Sequence, residues 1–286
     1  MTDLKAETTD YRAVRDEART AQPVPTRLRP TAATLFNRIG LPVLGVVGTI
    51  GLWWWVTWYF EIRKFFLPSP ADVVESLTTN FEALLEQSWI TVFETLAGFG
   101  IGAAAGLLIA VVLSASASLQ RALLPIVVAL NAVPKVALAP LFMVWFGLYH
   151  APKIAMAASI CFFPIMIATM AGLASTPAEL GELARSLSAT RTQLFLKVRV
   201  PWALPQVFVG LKLGMTLALI GTVVAQIARP SGGLGTMILL AQQNANTPLI
   251  FAAIVLLTVI SVALFYLVVL AERLVVPWAR ETSDRA

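Results

Sequence analysis

The chain is predicted to be an all-α integral membrane protein with six transmembrane helices. Three observations carry that prediction: composition, a series of long apolar runs, and the uneven placement of Lys and Arg between them. Of its 286 residues 58% are hydrophobic and only 13% charged, and the mean hydropathy is +0.78, far outside the range of soluble domains. A span needs about 20 apolar residues, and six runs of that size fall at roughly 40–60, 89–113, 122–146, 153–173, 202–227 and 250–271. Together they form a six-helix domain over 39–280, preceded by a polar arm at 1–38.

The arm holds seven Lys/Arg, five Asp/Glu and the prolines Pro23, Pro25 and Pro30. It lacks apolar periodicity and reads as largely disordered, with a short helix near Tyr11–Arg19 as the one exception, and it is too long and too acidic for a cleaved leader. The first span ends in Trp53, Trp54, Trp55, Trp58 and Tyr59, the aromatic belt expected at a membrane interface. After Leu67-Pro68-Ser69-Pro70, apolar Val73, Val74, Leu77, Phe81, Leu84 and Leu85 recur at helical spacing, predicting one amphipathic interfacial helix over Ala71–Glu86. The second span carries Gly98, Gly100, Gly102, Ala103, Ala104, Ala105 and Gly106, small residues that let helices approach closely. Pro134 interrupts the third, where a lost backbone hydrogen bond kinks the helix and opens a polar gap. Between the fourth and fifth lies a polar, basic segment, 175–200. Gly232-Gly233-Leu234-Gly235 marks a turn before the last span.

Counting Lys/Arg orients the chain, because cytoplasmic loops retain positive charge. The arm, Arg121, the segment with Arg185, Arg191, Lys197 and Arg199, and the terminal Arg273, Arg280 and Arg285 place fifteen on one side; Arg63, Lys64, Lys153 and Arg229 place four on the other. Both termini and the 175–200 segment are therefore expected in the cytoplasm.

Several chemistries are disfavoured. The single cysteine, Cys161, lies in an apolar run, and the single histidine, His150, in an outer loop, so no metal site is expected. No Lys precedes Ser or Thr, so the phosphate-cradling loop of an ATPase cannot be built. The lipid bilayer is the partner that composition implies, and none is expected among nucleic acids.

The segment from Glu182 to Pro205 resembles the "EAA" loop of bacterial ABC importer permeases. Glu182, Ala184, Leu204 and Pro205 match that pattern, while Leu183 and Ser188 replace its middle alanine and its glycine. The glycine permits a positive φ, so Ser188 either enters that region or turns differently. Leu67-Pro68-Ser69-Pro70, Ala97-Gly98-Phe99, Val133 to Leu141 with Trp145-Phe146-Gly147, Gly233-Leu234-Gly235, and Glu272-Arg273 with Trp278 extend the resemblance over roughly 65–280, to the nitrate/sulfonate/taurine-type permeases. Pro134-Lys135 and Glu94 look most similar to members for thiamine pyrimidine precursors or riboflavin-like solutes. The resemblance implies a type I, MetI-like permease. It also implies a second permease copy, a cytoplasmic ABC ATPase dimer holding ATP and Mg, and an external substrate-binding protein. Glu182, Ala184, Arg185, Ser188, Ala189 and Arg191 would couple to the ATPase, and the chain needs no cofactor of its own. The 232–235 turn would begin a short helix re-entering at the external gate.

Polar residues inside spans are costly unless they face a cavity or a partner. That makes Glu94, Asn131, Lys135, Lys212 and Gln226 the candidates for a translocation path. Lys135 either lines that path or satisfies carbonyls freed by Pro134, and Glu94 is either its counter-ion or a group reaching the interface. A rival reading is an ATP-independent secondary transporter or channel using Glu94, Lys135 and Lys212 as a relay. Another is a membrane subunit that binds an ATPase without moving solute.

Overall fold

The computed structural model describes residues 40–147 and 149–279. The readings made for the arm at 1–38, and for Arg280 and Arg285, lie outside the described residues. The chain divides at Val56 into two compact units. The first unit's described part is most of helix α1 (Leu41–Tyr59).

Among the described residues of the second unit every regular element is helical. Helix α2 (Pro70–Thr79) starts with Pro70 at its first position and Ser69 as N-cap, in a reciprocal capping box with Asp72. It ends earlier than the amphipathic pattern predicts. Asn80, at φ −106°, turns its amide back on the Ser76 carbonyl at 3.0 Å, and Phe81, Leu84, Leu85 and Glu86 belong to the next helix, α3 (Phe81–Ser114). Period alone cannot reveal such a break, because the apolar spacing continues through it.

The predicted third span is not one helix. Helix α4 (Ala117–Ala132) stops before Pro134; a 3-10 turn (Lys135–Leu138) leads into α5 (Ala139–Phe146), and the two limbs meet at 79°. Val133 sits extended at ψ 128°, as a residue before proline prefers, so the chain bends fully instead of kinking. α6 (Ala151–Ala174), α9 (Val200–Ala228) and α11 (Thr247–Val275) follow the remaining expected spans within a few residues. Among the described residues four helices are long and apolar enough to cross a bilayer, and the bent pair makes a fifth if it is one span. The apolar run of α1, Val43–Tyr59, is shorter than these.

α6 forms the centre, packed between α3 and α9. Glycine makes this possible from both sides. A Cβ on Gly98 would lie 2.5 Å from the Ala157 Cβ, and one on Gly106 would lie 2.9 Å from the Phe162 carbonyl. On the α9 side, a Cβ on Gly214 would lie 2.6 Å from the Ile165 side chain. Gly98, Gly102 and Gly106 are four apart and share one helix face, so the predicted small-residue packing is realised there, whereas Gly100 faces open space. Ala157, Cys161, Ile165 and Ala218 fill the seam with no exposed surface. Phe208, Met215, Leu264 and Val268 join α9 to α11.

Candidate functional site

Two regions at opposite ends of the helical bundle carry the chemistry. At the end where α6 begins, Glu94 of α3 is fully buried, as is Lys153 of α6, only 1% exposed. The Lys153 ammonium lies 3.2 Å from Glu94 Oε1, and the half-exposed His150 places Nδ1 2.7 Å from the same oxygen. With Glu94 ionised, that histidine nitrogen is the donor. The second carboxylate oxygen accepts from Gln226 Nε2 of α9 at 2.7 Å. Burying a carboxylate is tolerable only with a partner cation and satisfied lone pairs; both conditions are met.

The same network continues into the glycine turn. Gly232 and Gly233 adopt φ of +110° and +98°, which glycine enters without a Cβ clash. Gln87 Oε1 accepts from the Gly233 amide at 2.6 Å, Thr91 Oγ1 from Leu234 at 2.9 Å, and Gln226 Oε1 from Gly235 at 2.9 Å. Lys153 donates to the Gly232 carbonyl at 2.9 Å. From this turn springs α10 (Leu234–Gln243).

At the opposite end, α7 (Ala178–Ser186) leaves α6 through Ser175 and Pro177 and stands out with Glu182, Leu183 and Arg185 exposed. Ser188 takes φ +57°. The Ser188 amide then donates to Arg185 O at 2.9 Å and the Ala189 amide to Ala184 O at 3.0 Å, the paired bonds of a Schellman helix end. Of the two conformations open to Ser188, the left-handed one is taken, and Ala184 and Ala189 prove to be its closing pair. Thr190 and Gln193 form a capping box that starts α8 (Arg191–Leu194), which runs through a π-turn holding Lys197 into α9. The second arm of this helix–turn–helix is thus the start of a long helix, not a separate short one. Trp202 Nε1 donates to Ser175 O at 3.1 Å and ties the two roots together. Glu182 has no partner among the described residues, and beside it Leu183 and Leu187 are 56% and 74% exposed.

The remaining candidates separate. Lys135 donates to Asn131 Oδ1 at 2.5 Å across the 79° bend. Lys212 pairs with Glu272 of α11 at 3.0 Å. Glu94 is not the counter-ion of Lys135, nor does it reach the interface: it binds Lys153, His150 and Gln226. Among the described residues Glu94, Lys135 and Lys212 have different side-chain partners. Lys153 and His150 escaped the sequence reading because both sit at the edge of a span. The available signal was charge balance, since Glu94 is the one acidic residue inside the predicted spans.

A family model described as "Binding-protein-dependent transport system inner membrane component" matches residues 102–281. The chain belongs to this family. The permease is 35% identical over 229 residues to a probable ABC transporter permease protein of Haemophilus influenzae, covering 80% of this chain and 94% of that one. It is 36% identical over 262 residues to the riboflavin transport system permease protein RibX of Chloroflexus aurantiacus, covering 88% and 96%. Further relatives are named for aliphatic sulfonates, formylaminopyrimidine and taurine. In fold it matches the inward-facing MetNI methionine ABC transporter with a TM-score of 0.60 at 23% identity, over 70% of this chain and 97% of that one. The permease is accordingly a transport subunit of the ABC importer type, without an ATP site of its own.

Proposed function

We propose that this permease forms the translocation path of an ATP-driven importer for a small polar or aromatic solute. A cytoplasmic ABC ATPase dimer supplies the energy by binding and hydrolysing ATP with Mg, an external binding protein delivers the solute, and a second permease copy completes the path. Six spans cross the bacterial inner membrane, the sixth being α1 and one being the bent α4–α5 pair, with both termini in the cytoplasm. The observation that carries this reading is the exposed protrusion Ala178–Arg199. A Schellman end and a capping box on either side of Ser188 stiffen it, and it offers an unpaired acid beside two bare leucines. Such a rigid, mixed surface suits a cleft in a partner that must push as well as hold. Glu182, Arg185 and Arg191 make the charged contacts, while Ala184, Ser188 and Ala189 hold the turn. The positive-inside bias supports placing the protrusion in the cytoplasm.

Lys135 and Asn131, at the bend of the broken span, face the solute path, and the other polar pairs hold the helices that line it. Relatives named for riboflavin, formylaminopyrimidine and sulfonates support a small organic solute of this range. The test is Glu182→Lys in the tagged permease expressed with its ATPase. Loss of ATPase co-purification with the permease still folded in the membrane is expected. Undiminished co-purification overturns the assignment of the docking contact.

A further inference from the structure

The Gly232–Gly235 turn is held by side chains from three helices. Three successive amides, of Gly233, Leu234 and Gly235, are each taken by a different side chain, from Gln87, Thr91 and Gln226, and Lys153 takes the Gly232 carbonyl. Gln226 is the hub. It is fully buried, and its amide oxygen accepts from Gly235 while its nitrogen donates to Glu94 at 2.7 Å and Thr91 at 3.2 Å. The turn is also shaped to it: a Cβ on Gly235 would lie 2.9 Å from the Gln226 Cβ, and one on Gly233 would overlap the Gln226 amide. Within the bundle Lys153 and Glu94 are a buried ion pair whose second carboxylate oxygen points the Gln226 amide.

We infer that Gln226 is a positioning residue for the outer re-entrant helix α10, pinned in register by the Glu94–Lys153 pair. Releasing the turn would strand the Gln226 amide, three backbone amides and part of a buried ion pair in surroundings that cannot rehydrate them. The turn and α10 therefore stay fixed to α3, α6 and α9. This deepens the importer reading, since it names what holds the proposed outer gate, and the sidedness rests on that reading.

The test uses Ala241→Cys, on the buried face of α10 where Ala241 is 3% exposed, in a Cys161→Ala background in membrane vesicles. Labelling by a membrane-impermeant maleimide is compared for Gln226→Leu and Thr222→Val. Thr222 accepts a buried hydrogen bond from Thr95 at 3.1 Å between the same two helices but does not touch the turn. At least tenfold faster labelling is expected for Gln226→Leu, and a rate within twofold of the background for Thr222→Val. Unchanged labelling in Gln226→Leu, or an equal rise in both, overturns the inference. If Gln226→Leu does not fold, hydrogen exchange in the wild-type permease decides. Protection of the Gly233–Gly235 amides matching that of α6 supports the pin, and exchange at loop rates overturns it. Neither measurement requires an ATPase, so failure of the importer reading remains distinguishable from failure of the pin.

Discussion

Replacing Lys153 with Met tests the physics of the buried cluster directly. Lys153 is 1% exposed and Glu94 fully buried, so the variant leaves a carboxylate with hydrogen bonds but no enclosed cation. Breaking a buried pair in this way costs about 3–5 kcal/mol. The Gly232 carbonyl loses its lysine donor but keeps Thr236 Oγ1 at 2.9 Å, which limits the added loss to about 1 kcal/mol. The single variant Glu94→Gln strands the buried Lys153 ammonium at a similar cost, about 3–5 kcal/mol. The double variant Glu94→Gln/Lys153→Met removes both charges and keeps an amide against Gln226, so it is expected within about 2 kcal/mol of wild type, a coupling energy of at least about 4 kcal/mol. Unfolding of the purified permease in mixed micelles, titrated with SDS and followed by tryptophan fluorescence, reads all three. A single variant costing under about 1 kcal/mol, or a double variant costing the sum of the two singles, would refute the reasoning.

Other consequences follow from the packing, the protrusion and the loop before α2. Gly102→Val puts new carbon against backbone, since even a Cβ would lie 2.6 Å from the Ala158 carbonyl; the same unfolding assay should show a loss of about 3 kcal/mol, and a neutral variant would remove the α3–α6 seam from the account. Ser188→Gly relieves the φ of +57° and should stabilise by about 0.5–1 kcal/mol, the left-handed strain less the chain entropy of glycine, read as slower proteolysis of 178–199. Ahead of α2, hydrogen bonding to Asp72 and its negative charge raise the pKa of Lys64 above its ordinary 10.5. Burial pushes Asp72 up, but its bonds to Lys64 and Ser69 outweigh that and hold it below 3.8. The carboxylate's contribution is therefore present above pH 3.8 and lost as pH falls through its lower folded value, and the lysine's is full below pH 10.5 and lost as pH rises through its higher one. Exchange of the Asp72 and Val73 amides should stay slow, after correction for intrinsic rates, across that window and accelerate below it; a flat profile through acid pH contradicts the clamp.

What the sequence reveals here is mostly local. The helical runs, the glycine face at 98, 102 and 106, and the choice facing Ser188 can all be read from neighbouring residues, because propensity and spacing act within a few turns. The 79° break at Pro134 was visible only as a kink, since how far a chain bends depends on what the second limb packs against. Asn80 ends α2 while the apolar period runs on, so the amphipathic pattern predicts a longer helix than the one that forms. The Glu94 cluster was least legible. Its members come from α3, from the start of α6 and from the end of α9, and only the folded bundle sets Lys153, which reads as a loop cation, against an acid 59 positions earlier.

The most direct test of the central claim is to express the tagged permease with its ATPase and measure what purifies with it. The account predicts a complex with equal numbers of permease and ATPase chains that hydrolyses ATP and, reconstituted in vesicles, moves solute only when ATP is supplied. A permease that purifies alone and mediates flux without ATP would contradict it.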